Sequence, residues 1–183
     1  MSISIINTKN EDVKIIKPKC FDDERGYFFE SFNNKEFKNK VDNSISFVQD
    51  NQSLSKKNTL RGLHYQVKKS QAKLVRVLVG EIFDVFVDLR KSSKQFGLWD
   101  GVILSSENKL QLYIPKGFAH GYYVKSNMAI ISYKTSDYWC PDYEQTIIWN
   151  DKDLAINWGN LSKPIISQKD QAGLAFLKSK MYK

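Results

Sequence analysis

The chain has 183 residues, 42% of them hydrophobic and 13% aromatic, with only 9 glycines, a composition that excludes a disordered or fibrous protein. Its formal net charge of +8 comes from scattered lysines, Lys14, Lys17, Lys19, Lys56, Lys57, Lys68 and Lys69 among them. With no basic helix and no aromatic interleaving, nucleic acid is not the expected partner. No apolar run approaches the roughly 20 residues of a membrane span, and the first residues carry no basic, apolar and small-residue leader. Cys20 and Cys140 make neither a disulfide framework nor a zinc site of ordinary spacing. The expectation is a cytoplasmic enzyme of one domain, residues 1–183.

In chain order, Asn33-Asn34-Lys35-Glu36-Phe37 predicts a short helix capped by Asn33, with Glu36 three residues on. Leu74–Val79, Gly80-Glu81 and Ile82–Leu89 predict a β-hairpin closed by a type II′ turn. In its second strand Phe83, Val85, Val87 and Leu89 share one face, and Asp84, Phe86 and Asp88 share the other. Two carboxylates beside an aromatic fit either a ligand cavity or a solvent face. Further strands are predicted at Val102–Leu104, Leu110–Ile114, Gly121–Val124, Ala129–Thr135 and Thr146–Trp149. The tail from Ser167 to Met181 predicts a terminal helix with Ala172, Leu174, Phe176 and Leu177 packing back. Short strands without a βαβ rhythm imply an all-β antiparallel sandwich or barrel with short peripheral helices.

The chain holds only two histidines, each in a turn-like segment: Arg61-Gly62-Leu63-His64-Tyr65-Gln66 and Pro115-Lys116-Gly117-Phe118-Ala119-His120-Gly121. Each lies beside turn glycines and is followed by an aromatic or a glycine-aromatic pair, which points to a shared cavity rather than to two unrelated core histidines. Lysine outnumbers arginine 24 to 4, so each guanidinium invites a reason. Arg25 and Arg61 adjoin glycines, where a phosphate can approach the planar fork. Arg76 and Arg90 lie within or just after strands and are read as structural ion-pair members.

Taken together, Phe21-Asp22-Asp23-Glu24-Arg25-Gly26-Tyr27-Phe28-Phe29-Glu30, Phe47-Val48-Gln49-Asp50-Asn51, Leu60–Gln66 and Gln71-Ala72-Lys73-Leu74-Val75-Arg76 closely resemble the dTDP-4-dehydrorhamnose 3,5-epimerases. So do Gly80–Val85, Ile114–Gly121, Tyr133-Lys134-Thr135, Ile148-Trp149-Asn150-Asp151 and Ser167-Gln168-Lys169-Asp170. The resemblance implies a cupin-type jelly roll, a homodimer, a nucleotide-sugar substrate and no metal or cofactor. Position by position it implies His64 as base, Asp170 as its orienting carboxylate, Lys73 as enolate stabiliser and Tyr133 as proton donor. Asp84 and His120 resemble a second hydrogen-bonded pair lining the cavity. Arg25, Phe28, Glu30, Gln49, Asn51 and Arg61 are implied around the base and diphosphate. The Arg25 segment is implied to reach the site of a neighbouring subunit. Phe21 and Phe28 also fit a core role.

The chemistry asked of these residues is coherent. Epimerising a 4-keto sugar requires a base, an acid across the ring and a cation or donor for the enolate oxygen. One departure stands out: Tyr138-Trp139 occupies the place where the family usually carries two tyrosines, which brings the extent of epimerisation into question. The alternative is an epimerase of the same family acting at C3 only. A metal-dependent cupin would gather two or three histidines, and the first motif offers His64 alone. A binding module without catalysis would have lost one of His64, Lys73, Tyr133 and Asp170.

Overall fold

The computed structural model describes residues 2–161 and 163–183. Four strands, β1 (Ile3–Asn7), β2 (Lys14–Pro18), β3 (Cys20–Asp23) and β4 (Gly26–Phe29), precede helix α1 (Asn34–Lys40). There follow β5 (Gln49–Lys56), β6 (Leu60–Gln66), β7 (Lys73–Val79), β8 (Glu81–Asp88) and β9 (Trp99–Ser105). The chain continues with β10 (Gln111–Ile114), β11 (Phe118–Val124), β12 (Met128–Thr135), β13 (Glu144–Thr146) and helix α2 (Gln168–Gln171). A six-stranded sheet, β1-β2-β10-β7-β12-β5, faces a five-stranded sheet, β13-β6-β11-β8-β9, and every strand pairing in them is antiparallel. This is the cupin-type jelly roll. Strands β3 and β4 form a separate hairpin.

Alternation along the strands builds the sandwich. Val75 and Val77 of β7, Ile82 and Phe86 of β8, Leu112 of β10 and Ile131 of β12 meet between the sheets. Each such burial stabilises by roughly 1.5–3 kcal/mol. The opposite parity of β8 places Val85 and Val87 on the outer face, covered by Leu154, Trp158 and Phe176 of the C-terminal segment. Helix α1 begins where its cap directs, the Asn33 side chain accepting from the Lys35 and Glu36 amides. Its Phe37 covers Ile16, Leu74 and Tyr113 on the outside of the six-stranded sheet.

Three expectations are corrected. The β7 and β8 strands are not a hairpin: β7 pairs with β10 and β12, β8 with β9 and β11, and the chain crosses between sheets at Gly80. Gly80 has φ +83°, and a Cβ there would collide with the Met128 carbonyl oxygen, so glycine serves the crossing itself. The tail does not form one helix. Beyond α2 the backbone of Leu174 is recruited by strand-like bonds, its N–H donating to the Thr146 carbonyl and its carbonyl accepting from Ile148, both at 2.9 Å. Phe176 alone of the four apolar tail residues is buried, and Leu177 is 74% exposed. The predicted strand Thr146–Trp149 shifts back to β13, while Ile147 bridges Leu174.

Asp84 and Asp88 are both fully buried on the inner face of β8, which removes the solvent-face reading. They then part company. Asp88, four residues and roughly 13 Å further along the strand, accepts from Arg90 at 2.6 Å and from Ser93 at 2.7 Å. Arg90 also pairs with Asp12 at 2.8 Å, so it is the structural ion-pair member expected. Arg76 is half-buried and, among the described residues, has no acidic partner within ion-pair distance. Phe21 and Phe28 are exposed on the β3–β4 hairpin and belong to no core.

Candidate active site

At one end of the sandwich the inner face changes from apolar to polar. The parity that buries Val75, Val77, Ala129 and Ile131 also brings Lys73 of β7 and Tyr133 of β12 inward. Across from them His64 of β6 lies in register with His120 of β11. These four side chains line one cavity of about 240 Å³ with Arg61, Tyr122, Ser53 and Glu144. The two histidine strands approach closely because glycines face each other: a Cβ on Gly62 would stand 2.6 Å from the Gly121 Cα. A side chain at either position would push β6 from β11 and separate the imidazoles.

His64 Nε2 lies 2.6 Å from Asp170 Oδ1, and Asp170 Oδ2 also accepts the Gly62 amide at 3.2 Å. Ser167 caps the short α2 by accepting the Asp170 amide at 3.1 Å, which places this carboxylate at the first turn. Burial acts to raise the Asp170 carboxyl, but the His64 bond and charge and the Gly62 amide outweigh it and hold it below its ordinary value. The ionised carboxylate therefore accepts a hydrogen bond from Nε2–H, the tautomer that leaves the basic lone pair of the imidazole on Nδ1.

The second pair is as well formed. His120 Nε2 meets both Asp84 oxygens, at 2.8 and 3.0 Å. Lys73 has no hydrogen-bond or ion-pair partner among the described residues. Burial pushes its ammonium down to about 8, against the opposing fields of Asp84 and Glu144. Burial likewise raises the Tyr133 phenol, with Tyr122 and Glu144 adding to the rise and Arg61 opposing it. A phenol kept protonated is a proton donor, and a desolvated ammonium is a strong partner for an oxyanion.

The cavity wall and the residues bonded to it carry polar groups that the sequence signals only in part. On edge strand β5 the alternation turns Gln49, Asn51, Ser53 and Ser55 inward. Gln49 Nε2 donates to Asn51 Oδ1 at 2.8 Å. Arg61 Nε donates to Ser55 at 3.0 Å, and the Tyr122 hydroxyl touches Ser53 at 3.0 Å and Ser55 at 3.2 Å. Glu144 pairs with Lys169 at 2.5 Å. Ser53, Ser55, Tyr122, Glu144 and Lys169 were not singled out in the sequence; for the serines the period-2 polar face of β5 was the available signal. Tyr138 and Trp139 are exposed on the passage from β12 to β13.

Arg25, Phe28 and Glu30 are not brought to the cavity of their own chain. Arg25 is exposed and donates to Asp23 at 2.6 Å, and Glu30 accepts from Asn33 at 3.1 Å. Phe28, 61% exposed, lines a pocket of about 320 Å³ between the hairpin and β7 together with Tyr27 and Arg76. Among the described residues no three His, Cys, Asp or Glu side chains are grouped to hold a metal, and no helix is long and apolar enough to cross a membrane.

Against this geometry stand the comparisons with known proteins. A family model described as dTDP-4-dehydrorhamnose 3,5-epimerase matches residues 7–178. The dTDP-4-dehydrorhamnose 3,5-epimerase of Pseudomonas aeruginosa is 51% identical over 165 residues, 90% of this chain and 91% of that protein. That of Escherichia coli is 50% identical over 170 residues, covering 92% of each. The crystal structure of the Legionella pneumophila dTDP-6-deoxy-D-glucose-3,5-epimerase with dTDP-4-keto-L-rhamnose superposes with a TM-score of 0.94 at 50% identity, over 97% of this chain and 95% of that one. A 3'-monoepimerase from Streptomyces bikiniensis in complex with dTDP-quinovose is more distant, at 26% identity and a TM-score of 0.84, over 92% of this chain and 86% of that one.

Proposed function

Because the chain belongs to the family of dTDP-4-dehydrorhamnose 3,5-epimerases, we propose that its polar cavity converts dTDP-4-dehydro-6-deoxy-D-glucose to dTDP-4-dehydro-L-rhamnose with His64 as the base. The protein is an isomerase acting on a nucleotide-linked sugar. The observation that carries the residue assignment is the meeting of the His64–Asp170 pair with Lys73 and Tyr133 around one cavity. His64 Nδ1 removes the proton beside the C4 ketone, and Asp170 supports the imidazolium that forms. The Lys73 ammonium takes the charge developing on O4. Tyr133 returns a proton to the opposite face, and its phenolate recovers one from the imidazolium through solvent, so the cycle closes with no net proton change. The same sequence repeats at C5. No step calls on a metal or cofactor.

Inversion at both centres is favoured over the C3-only alternative by the position of Trp139. The residue is 57% exposed, with the indole N–H directed to Glu144 at 3.2 Å. It is not among the residues that line the cavity shared by His64 and Tyr133. Incubation of substrate in deuterated water containing EDTA tests the whole reading. Label at both C3 and C5, in product that a reductase converts to dTDP-L-rhamnose, is expected; label at C3 alone selects the monoepimerase, and restoration only by added metal defeats the cofactor-free mechanism.

The nucleotide half of the site is assigned to Arg61, Gln49 and Asn51, which lie at the same end of the sandwich, and to Arg25, Phe28 and Glu30 of a second copy. Exposure of Phe21, Tyr27 and Phe28 on the β3–β4 hairpin supports a homodimer in which this hairpin leaves its own chain. Residues 1–183 are read as one epimerase domain, and the unpaired Cys20 and Cys140 support a cytoplasmic location. Arg61→Lys retains the charge but loses the planar fork that Ser55 orients. Titration calorimetry with dTDP should show binding weakened by about 1.5 kcal/mol, roughly tenfold in Kd. Unchanged affinity would move the diphosphate elsewhere.

A further inference from the structure

Trp139 lies on the passage that carries the chain from β12 of the six-stranded to β13 of the five-stranded sheet. Its backbone N–H donates to Gln49 Oε1 at 3.1 Å, and its indole Nε1–H donates to Glu144 Oε2 at 3.2 Å. Gln49 lies on β5 and Glu144 on β13, the edge strands of the two sheets. One residue is thus bonded to the edge strands of both sheets. The residue remains more than half exposed, so burial is not what the arrangement achieves.

Glu144 is the informative partner, because it lines the cavity with His64. Lys169 reaches the same Oε2 at 2.5 Å, but on a flexible four-carbon stem that is 53% exposed. The indole, by contrast, turns on two dihedral angles and can only donate, so it bonds to a carboxylate as acceptor and holds it in one orientation. We propose that Trp139 is a positioning residue, which through its indole N–H keeps the Glu144 carboxylate fixed on the cavity wall beside His64. This rests on the reading of the cavity as the epimerase site. There the anchored carboxylate adds to Asp170 in stabilising the imidazolium formed when His64 takes the substrate proton. The departure at position 139 then supports the base rather than obstructing the sugar.

The groups around Glu144 set the sign of the pH effect. Lys169 of α2, His64 of β6 and Lys73 of β7 carry or gain positive charge near it, and Tyr133 of β12 is a neutral phenol. Burial raises the Glu144 carboxyl, and the bonds from Lys169 and Trp139 with the field of His64 bring it below its ordinary value. Removing the indole N–H takes away one of the lowering influences. The carboxyl then protonates at higher pH, and activity that needs the carboxylate is lost earlier on acidification.

The test separates the N–H from the ring. W139F loses both the indole and its N–H, whereas 3-benzothienylalanine at position 139 keeps the bicyclic shape and loses only the donor. Both are expected to lower kcat/KM by about fivefold, the effect of one charge-assisted bond at a partly exposed site. Both should also move the acid limb of the profile toward neutral pH. In an E144Q background neither should lower the rate further. A benzothienyl variant with wild-type rate and profile, or equal losses with and without Glu144, would overturn the proposal. An activity-independent readout is the emission of Trp139, taken as wild type minus W139F. It should titrate with a carboxylate and become flat in E144Q. A flat wild-type titration sinks the tether whatever the enzyme turns over, whereas absence of deuterium uptake by the wild type sinks the epimerase reading and leaves the tether decided by emission.

Discussion

His64→Ala is expected to cut both product formation and deuterium uptake by at least ~100-fold, the lower range for loss of a general base. The size of the effect follows from the surroundings. Tyr133 is kept protonated and Lys73 serves as an ammonium below pH 8, so neither replaces His64 as the base, and His120 and Glu144 on the same cavity wall are the groups to which residual uptake would point. The alanine leaves Asp170 half-satisfied by the Gly62 amide, and the fold should persist because the apolar inner face lies beyond the cavity. Asp170→Asn should fall less, since an amide oxygen still accepts from Nε2 but no longer offers charge to the imidazolium. Deuterium uptake by the alanine variant at the wild-type rate would assign proton abstraction to another group. Circular dichroism before and after substitution separates lost chemistry from lost structure.

Local and global signals diverge where the sequence reading failed. Residues 74–89 carry two β-branched runs around Gly80, and a local rule joins them as a hairpin. The pairing is decided instead by β10 and β12, more than thirty residues downstream, which take β7 into the other sheet. The parity of β8, being a property of neighbouring residues, was legible and correctly put Asp84 with Phe86. Its consequence was not, because whether that face is wet depends on the sheet that covers it. The two histidines were legible as a pair, and the structure sets them opposite each other in register. Glu144 carries no motif at all; it enters the cavity because β13 pairs with β6. The tail failed for a similar reason, since Thr146 and Ile148 claim the backbone of Leu174 against its helical preference.

The resemblance named His64, Lys73, Tyr133 and Asp170 from positions up to 106 residues apart. The fold adds the physical cause of their company: Lys73 and Tyr133 are the polar ends of inward rows whose remaining members are Val75, Val77, Ala129 and Ile131, His64 comes from β6 beside Gly62, and α2 carries Asp170 to it. Stability and catalysis are thereby segregated along the same strands.

Lys73→Met is expected to lower kcat by ~100- to 1000-fold, the range for removing one oxyanion-stabilising donor, while leaving the protein at least as stable. Burial pushes the Lys73 ammonium down to about 8, which means that the folded state disfavours its charge. Below pH 8 the protein carries that charge at a cost, and the cost is relieved as pH rises from about 8 through the ordinary lysine value. Methionine has a similar length and no charge to desolvate, so Tm at neutral pH should hold or rise. Catalysis moves in the opposite direction with pH. The ammonium is needed where negative charge develops on O4, so kcat/KM of the wild type should fall on an alkaline limb near pH 8. Bound diphosphate raises the affinity of the site for a proton, and the corresponding limb in kcat should lie higher. Neither limb should survive in Lys73→Met. A variant that loses rate and stability together would return Lys73 to the structural residues, and an unchanged alkaline limb would assign the titration to another group.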